Sequence, residues 1–245
     1  MALELAPPSN PKSLIKIGTK EDTLIEQLKG INRVDLNQEY RIYYNKSSEN
    51  KNTDTHNFKY IIITPYLGKG NFDILPLLEL LKNVVIDNLE ISWCKTTFPD
   101  DFFDNVIIKG NLNAVSCSIE KLPESFGTIQ CGGTVNLAEN NIKSLPNFLD
   151  GCNIGCNFIL STNQITKVTA TNLKVGGNLI LRYNGITTLD LTNFKIGGDL
   201  DVSLNGALKK VSFKNVVIGC SVILPSRGIK TFTCENINIG GSFNT

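Results

Sequence analysis

From Val85 onward, apolar residues recur in short alternating bursts: Leu89/Ile91, Leu112/Ala114, Val135/Leu137, Phe158/Leu160, Leu179/Leu181, Leu200/Val202 and Val222/Leu224. Alternation at period two predicts short strands with one buried face. The bursts themselves repeat. Aligned on the apolar residue beside each glycine pair, the units start at Val85, Ile108, Cys131, Ile154, Val175, Ile196, Ile218 and Ile239, spaced by 23, 23, 23, 21, 21, 22 and 21 residues. Self-similarity at this period predicts a solenoid, because one unit cannot bury its apolar face alone and must stack on its neighbours.

Three residues beyond each burst stands a polar or small residue: Cys94, Cys117, Asn140, Asn163, Asn184, Asn205 and finally Arg227. Where the chain turns out of the strand its backbone groups enter the core and need partners. A buried Asn side chain both donates and accepts, so Asn140, Asn163, Asn184 and Asn205 are expected to form a structural ladder between coils. Two positions further come Thr96, Ile119, Ile142, Ile165, Ile186, Ala207 and Ile229. The resulting LxLxxNxI string, clearest in NLAENNIKSLP (Asn136 to Pro146), resembles the leucine-rich repeat family over about two-thirds of the chain. The resemblance implies a curved parallel β-sheet that binds protein on its concave side.

The return half of each unit changes along the chain. Early units carry Phe98-Pro99, Leu122-Pro123 and Leu145-Pro146, and proline favours an irregular or one-turn helical return. Later units alternate at period two and share a second Asn column, Asn172, Asn193, Asn215 and Asn236, which predicts a second short-strand sheet there. This return departs from the usual family pattern. The fold class expected is a mainly β, α+β solenoid with a small N-terminal cap. Residues 1–57 form that cap region, with a possible helix over 20–30, a strand through Tyr40, Ile42 and Tyr44, and a polar loop over 46–57. Residues 58–245 form the solenoid, 58–84 being a degenerate first repeat with a strand at Tyr60 to Ile63 and a short helix within 72–84.

Composition narrows the function. The 24 Lys+Arg against 23 Asp+Glu leave a net charge of +1, and no basic run or aromatic–basic stripe marks a nucleic-acid partner. No apolar stretch is long enough to span a bilayer, and the first residues lack a secretory pattern, so a cytoplasmic, reducing location is expected. Seven cysteines, an odd number, fit no disulfide framework. The sole histidine, His56, falls in the polar loop and gives no catalytic pair. Cys152 and Cys156 are too widely spaced for a zinc knuckle and have no second pair. Asp100, Asp101 and Asp104 read as exposed turn and capping residues. The glycine pairs open onto strands, not helices, and so read as solenoid corners instead of phosphate loops. No enzyme, cofactor or metal is expected.

What remains is surface. Outward positions on the main strands place Ile159, Ile180, Tyr183, Leu204 and Ile223 in one apolar patch flanked by Arg182, with Trp93 near the other end of the sheet face; exposed apolar clusters with aromatic and Arg residues are typical of protein interfaces. The function expected is a non-enzymatic interaction scaffold that holds a protein partner there. The alternative is a structural, virion-like component that packs against assembly neighbours through an open C-terminal coil.

Overall fold

Coils that bury only two or three apolar residues per side gain a core by stacking, and stacking governs the whole molecule. The computed structural model describes residues 40–46, 56–65, 74–79, 81, 84–146, 149, 151–169 and 171–245. The described residues form a mostly parallel β-solenoid of about seven turns, and among them there is almost no helix. At one end β1 (Tyr40–Lys46) lies antiparallel to β2 (His56–Pro65), with Ile42 opposite Ile63. A single helical turn, α1 (Leu75–Leu78), leads toward β3 (Val84–Glu90), which pairs in parallel with β2.

Each later coil carries short strands on either side of its glycine corner. They are β4 (Val106–Ile108) and β5 (Leu112–Asn113), β6 (Gln130–Cys131) and β7 (Val135–Asn136), then β8 (Asn153–Ile154) and β9 (Phe158–Ile159). The return strand β10 (Lys167–Val168) follows, then β11 (Lys174–Val175), β12 (Leu179–Ile180) and β13 (Thr188–Thr192). The last coils hold β14 (Lys195–Ile196), β15 (Leu200–Asp201), β16 (Lys210–Ile218), β17 (Val222–Ile223), β18 (Thr231–Ile239) and β19 (Phe243–Asn244). One parallel ladder runs before the glycine pairs and another after them. A third, β10–β13–β16–β18, runs along the return side of the later coils. The ladder before the glycines was not anticipated, although its polar–apolar pairs such as Lys174-Val175 and Lys195-Ile196 lie in plain sight.

The return side divides as the prolines suggest. Pro99 precedes the turn α2 (Phe102–Asn105), and Pro123 precedes a 3-10 turn over Glu124–Thr128. Asp101 occupies the N-cap of α2 without a side-chain capping bond. Phe98, Phe102, Phe103, Phe126 and Phe158 fill this wider part of the core, with ring centroids 5.0–5.7 Å apart. Later coils bury Phe194 and Phe213 instead, and their return is extended.

The glycine corners owe their composition to close approach. A Cβ on Gly176 would sit 2.1 Å from the Gly155 carbonyl oxygen, and one on Gly198 would sit 2.1 Å from Asn178 Oδ1. At these glycines successive coils touch backbone to backbone, whereas Cys156 and Cys220, in the column of Gly133, Gly177 and Gly198, carry exposed side chains. Two expectations need correction. His56 does not lie in a loop; its backbone opens β2 in register with Val84. Ala207 is exposed and Leu208 takes the inward place, because this unit has one residue more than its predecessor. The helix expected over 20–30, and the polar loop apart from its two ends, lie outside the described residues.

Candidate functional site

Two sets of corners adopt the left-handed backbone region, one after the main strands from Trp93 to Leu204 and one after the return strands from Asn172 to Asn236, and the chain fills them differently. At the corner after the return strands stand Asn172, Asn193, Asn215 and Asn236, with φ between 51° and 62°. Asn tolerates this region, and here its side chain also bonds. Asn193, Asn215 and Asn236 each donate Nδ2–H to Oδ1 of the preceding Asn, at 2.8, 3.0 and 3.1 Å. The second Asn column is therefore a ladder, and it lies largely on the surface.

At the corner after the main strands the same left-handed residues are Trp93 (φ 66°), Ser116 (56°), Glu139 (57°), Thr162 (56°), Tyr183 (52°) and Leu204 (61°). For an L-residue with a large side chain this region costs about 1–2 kcal/mol. Packing does not offset that cost at three of them, because Trp93, Tyr183 and Leu204 are 61%, 58% and 50% exposed. The result is a ridge of strained backbone from which large side chains project into solvent.

The left-handed residue turns the next side chain inward, and that side chain is the ladder Asn. Asn140 accepts N–H from Cys117 at 2.9 Å and from Ile119 at 3.0 Å, and donates to the carbonyls of Ala114 and Leu137. Asn163 accepts from Ile142 at 2.9 Å and donates to Leu137 and Leu160. Asn184 accepts from Ile165, and Asn205 from Ile186. Each Asn bridges backbone to backbone across two coils, so these side chains do not bond one another. Cys117 keeps half of this role: its thiol donates to the Ile91 carbonyl at 2.9 Å and accepts nothing from the preceding coil. Arg227 abandons it. Positive φ moves from the ridge position to Gly228 (φ 105°), and Arg227 is exposed.

A third polar file escaped the sequence reading. Asn88, Asn111, Asn157, Asn178 and Asp199 each accept the N–H of the residue one rung on through Oδ1, at 2.7–3.0 Å. The available signal is the Asn, Thr, Asp or Ser that directly follows each glycine corner.

The predicted face residues fall into register on the second ladder. Ile159 pairs with Ile180, Ile180 with Asp201, and Asp201 with Ile223. Asp201 therefore separates Ile223 from the other two isoleucines. Its charge is held down by Arg182 Nε at 3.4 Å and by the Ser203 N–H and hydroxyl at 3.0 and 2.6 Å. Tyr183 and Leu204 occupy neighbouring rungs of the ridge beside this pair, and Trp93 stands four rungs away. Around Trp93 the face is polar: Asn113 donates to Glu90, and Ser116 donates to Glu139 at 2.8 Å.

Among the described residues no group of three or more His, Cys, Asp or Glu is arranged to hold a metal ion. Cys152 is buried and Cys156 exposed, on opposite sides of the coil wall. Burial pushes the thiols of Cys94, Cys117 and Cys152 up to about 12, far from a reactive thiolate. No helix among the described residues is long and apolar enough to cross a membrane. Comparison with family models, with curated proteins and with solved structures found no match to this chain.

Proposed function

We propose that this chain is a non-enzymatic interaction scaffold that holds a protein partner on its main-strand face. In this reading it is a divergent leucine-rich-repeat-like solenoid whose return strands serve as a second sheet. It works inside the cell, where a reducing compartment keeps seven thiols free. The observation that carries the reading is the ridge. Asn meets the left-handed requirement at the other corner, yet Trp93, Tyr183 and Leu204 meet it here with exposed side chains that contribute little to the core. Large side chains held rigidly on a strained corner suit recognition, because little conformational freedom is lost when a partner docks. Ile159, Ile180 and Ile223 add apolar area, and the Arg182–Asp201 pair adds polar matching.

The test is proximity cross-linking in the native cell type with wild type and with Ile180→Asp/Tyr183→Ala. Loss of specific cross-linked partners at unchanged circular dichroism supports the reading. Recovery of the same partners in the same amounts refutes it.

Assembly through the last rung is a second reading with its own observation. Phe232 and Phe243 remain 44% and 43% exposed there, stacked edge to face with centroids 5.4 Å apart. Concentration-dependent association that survives high salt and is weakened by Phe232→Ser/Phe243→Ser supports it; a monomer under those conditions rules it out.

A further inference from the structure

Lysines scattered through the sequence gather on one corner of the solenoid, where each coil leaves its ladder residue and enters the return. Lys143 N–H donates there to the Glu120 carbonyl, Thr187 to Thr166, Lys209 to Thr187 and Lys230 to Lys209, while Gln164 N–H joins its coil to Ile142. Glu120, Lys143, Thr166, Thr187, Lys209 and Lys230 therefore stand in one file. The residues that follow them make a second file, in which Lys167 pairs with Thr188, Thr188 with Lys210, and Lys210 with Thr231. Lys121 follows Glu120 at this corner, and Lys95 stands at the same corner one coil earlier, where Thr96 N–H donates to the Cys117 carbonyl.

Every lysine of the corner is exposed. Among the described residues Glu120 is the only carboxylate on the two files, and Lys143 alone of these lysines is ion-paired within 4 Å, to that same Glu120 at 3.1 Å. The places between the lysines are filled by Ser144 and by threonines, which are short and uncharged. Carboxylates resume on either side, at Glu139 on the ridge and at Asp100, Glu124 and Asp190 along the return. Cations held in a row without partners repel one another and draw an anionic partner to the row.

We propose that this corner docks an acidic helical segment of a protein partner. Its rungs lie about 4.8 Å apart, and an α-helix laid along them repeats one face every 5.4 Å or so. The mismatch, about 0.6 Å per rung, is within reach of the flexible lysine stems. An extended acidic strand repeats a face every ~6.7 Å and falls out of step about three times as fast. From Lys95 to Lys230 the corner spans about six rungs, roughly 29 Å, the length of a helix of about 19 residues. Nucleic acid is met by arginine forks and by aromatic side chains that stack on bases, and the two files hold neither. The Asn ladder separates the corner from the ridge, so this contact does not rest on the proposed ridge site.

Fluorescence anisotropy on the full chain tests it, with a labelled helical peptide of about 20 residues that carries Glu along one face. The peptide should bind at about 50 mM salt, where screening is weak, with its dissociation constant rising about ten-fold or more by about 0.3 M. K167E/K209E/K210E/K230E should weaken binding about ten-fold or more. K109E/K174E/K195E, which reverses exposed lysines away from the corner, should change it by less than about two-fold. Circular dichroism confirms that each variant is folded. Ile180→Asp/Tyr183→Ala should bind the peptide as wild type does, which separates failure of this inference from failure of the ridge site. Absence of binding at low salt overturns the proposal, as does an equal loss in both lysine variants. Tighter binding of a peptide of the same charge with its helix interrupted by prolines removes the helical partner. Tighter binding of a thymidine oligonucleotide of equal charge would assign the corner to nucleic acid and also overturn it.

Discussion

Replacing Asn140 or Asn163 by Ala removes the same atoms from the same ladder, yet the two substitutions should differ in cost. Asn163 satisfies one N–H of the preceding coil, that of Ile142. The three carbonyls it serves keep another donor each: Leu137 from Asn140, Leu160 from Asn184 and Ser161 from the Glu139 N–H. Asn163→Ala therefore orphans one buried N–H, at about 1–3 kcal/mol, and leaves a small void. Asn140 accepts from two N–H groups, those of Cys117 and Ile119. Its loss orphans both and also leaves Ala114 O without its side-chain donor. Asn140→Ala should cost about 1–3 kcal/mol more than Asn163→Ala, by one further orphaned N–H. Urea unfolding of the full chain measures the difference, provided the slope with denaturant stays constant. Hydrogen exchange localises it: the amides of Cys117 and Ile119 should lose protection in one variant and that of Ile142 in the other. Equal costs, or protection lost uniformly along the chain, would refute the bridging role assigned to these side chains.

The glycine corners and the thiols give further checks. Gly176→Ala drives a Cβ into the Gly155 carbonyl and should prevent folding or cost about 3 kcal/mol or more, whereas Gly206→Ala meets nothing within 4 Å and should be neutral or stabilising by about 0.4–1 kcal/mol. Thermal denaturation of the two variants distinguishes close approach from a general glycine requirement. Cys94, Cys117 and Cys152 are raised from 9.0 to about 12, first by burial. The folded state keeps protons that the unfolded chain releases, so this stability is complete below pH 9 and falls toward pH 12. The slope is about 1.4 kcal/mol per pH unit for each thiol. Urea midpoints that stay level between pH 8 and pH 10.5 would contradict this assignment. In the folded protein Cys156 and Cys220 should react with a thiol reagent at pH 8 while Cys94, Cys117 and Cys152 stay protected, as counted by mass spectrometry.

The stacking was legible because burial at period two and a 21–23-residue recurrence are both properties of composition along the chain. The inward Asn residues could be read for the same reason: a polar residue at a fixed offset from apolar ones must answer to backbone groups. What bonds to it could not be read, since that depends on which carbonyls the neighbouring coil brings near. Leu208 in place of Ala207 illustrates the difficulty, because one additional residue moved the burial without altering the pattern's appearance. The ladder before the glycines was hidden by its length of two residues per coil, too short for alternation to register. The ridge was visible as outward positions, but its backbone state was not. Nothing in Trp, Tyr or Leu announces a left-handed φ, and that conformation distinguishes these residues from ordinary exposed apolar side chains.

Replacement of Trp93, Tyr183 and Leu204 together by Asn tests the functional claim most directly, with thermal stability and partner cross-linking measured on the same preparation. Relief of strained backbone should leave the melting temperature unchanged or raise it, by an amount consistent with about 1 kcal/mol or less per site, while partner cross-links disappear. A variant that melts lower and keeps its partners would show the ridge to be part of the fold's own support and not a binding surface.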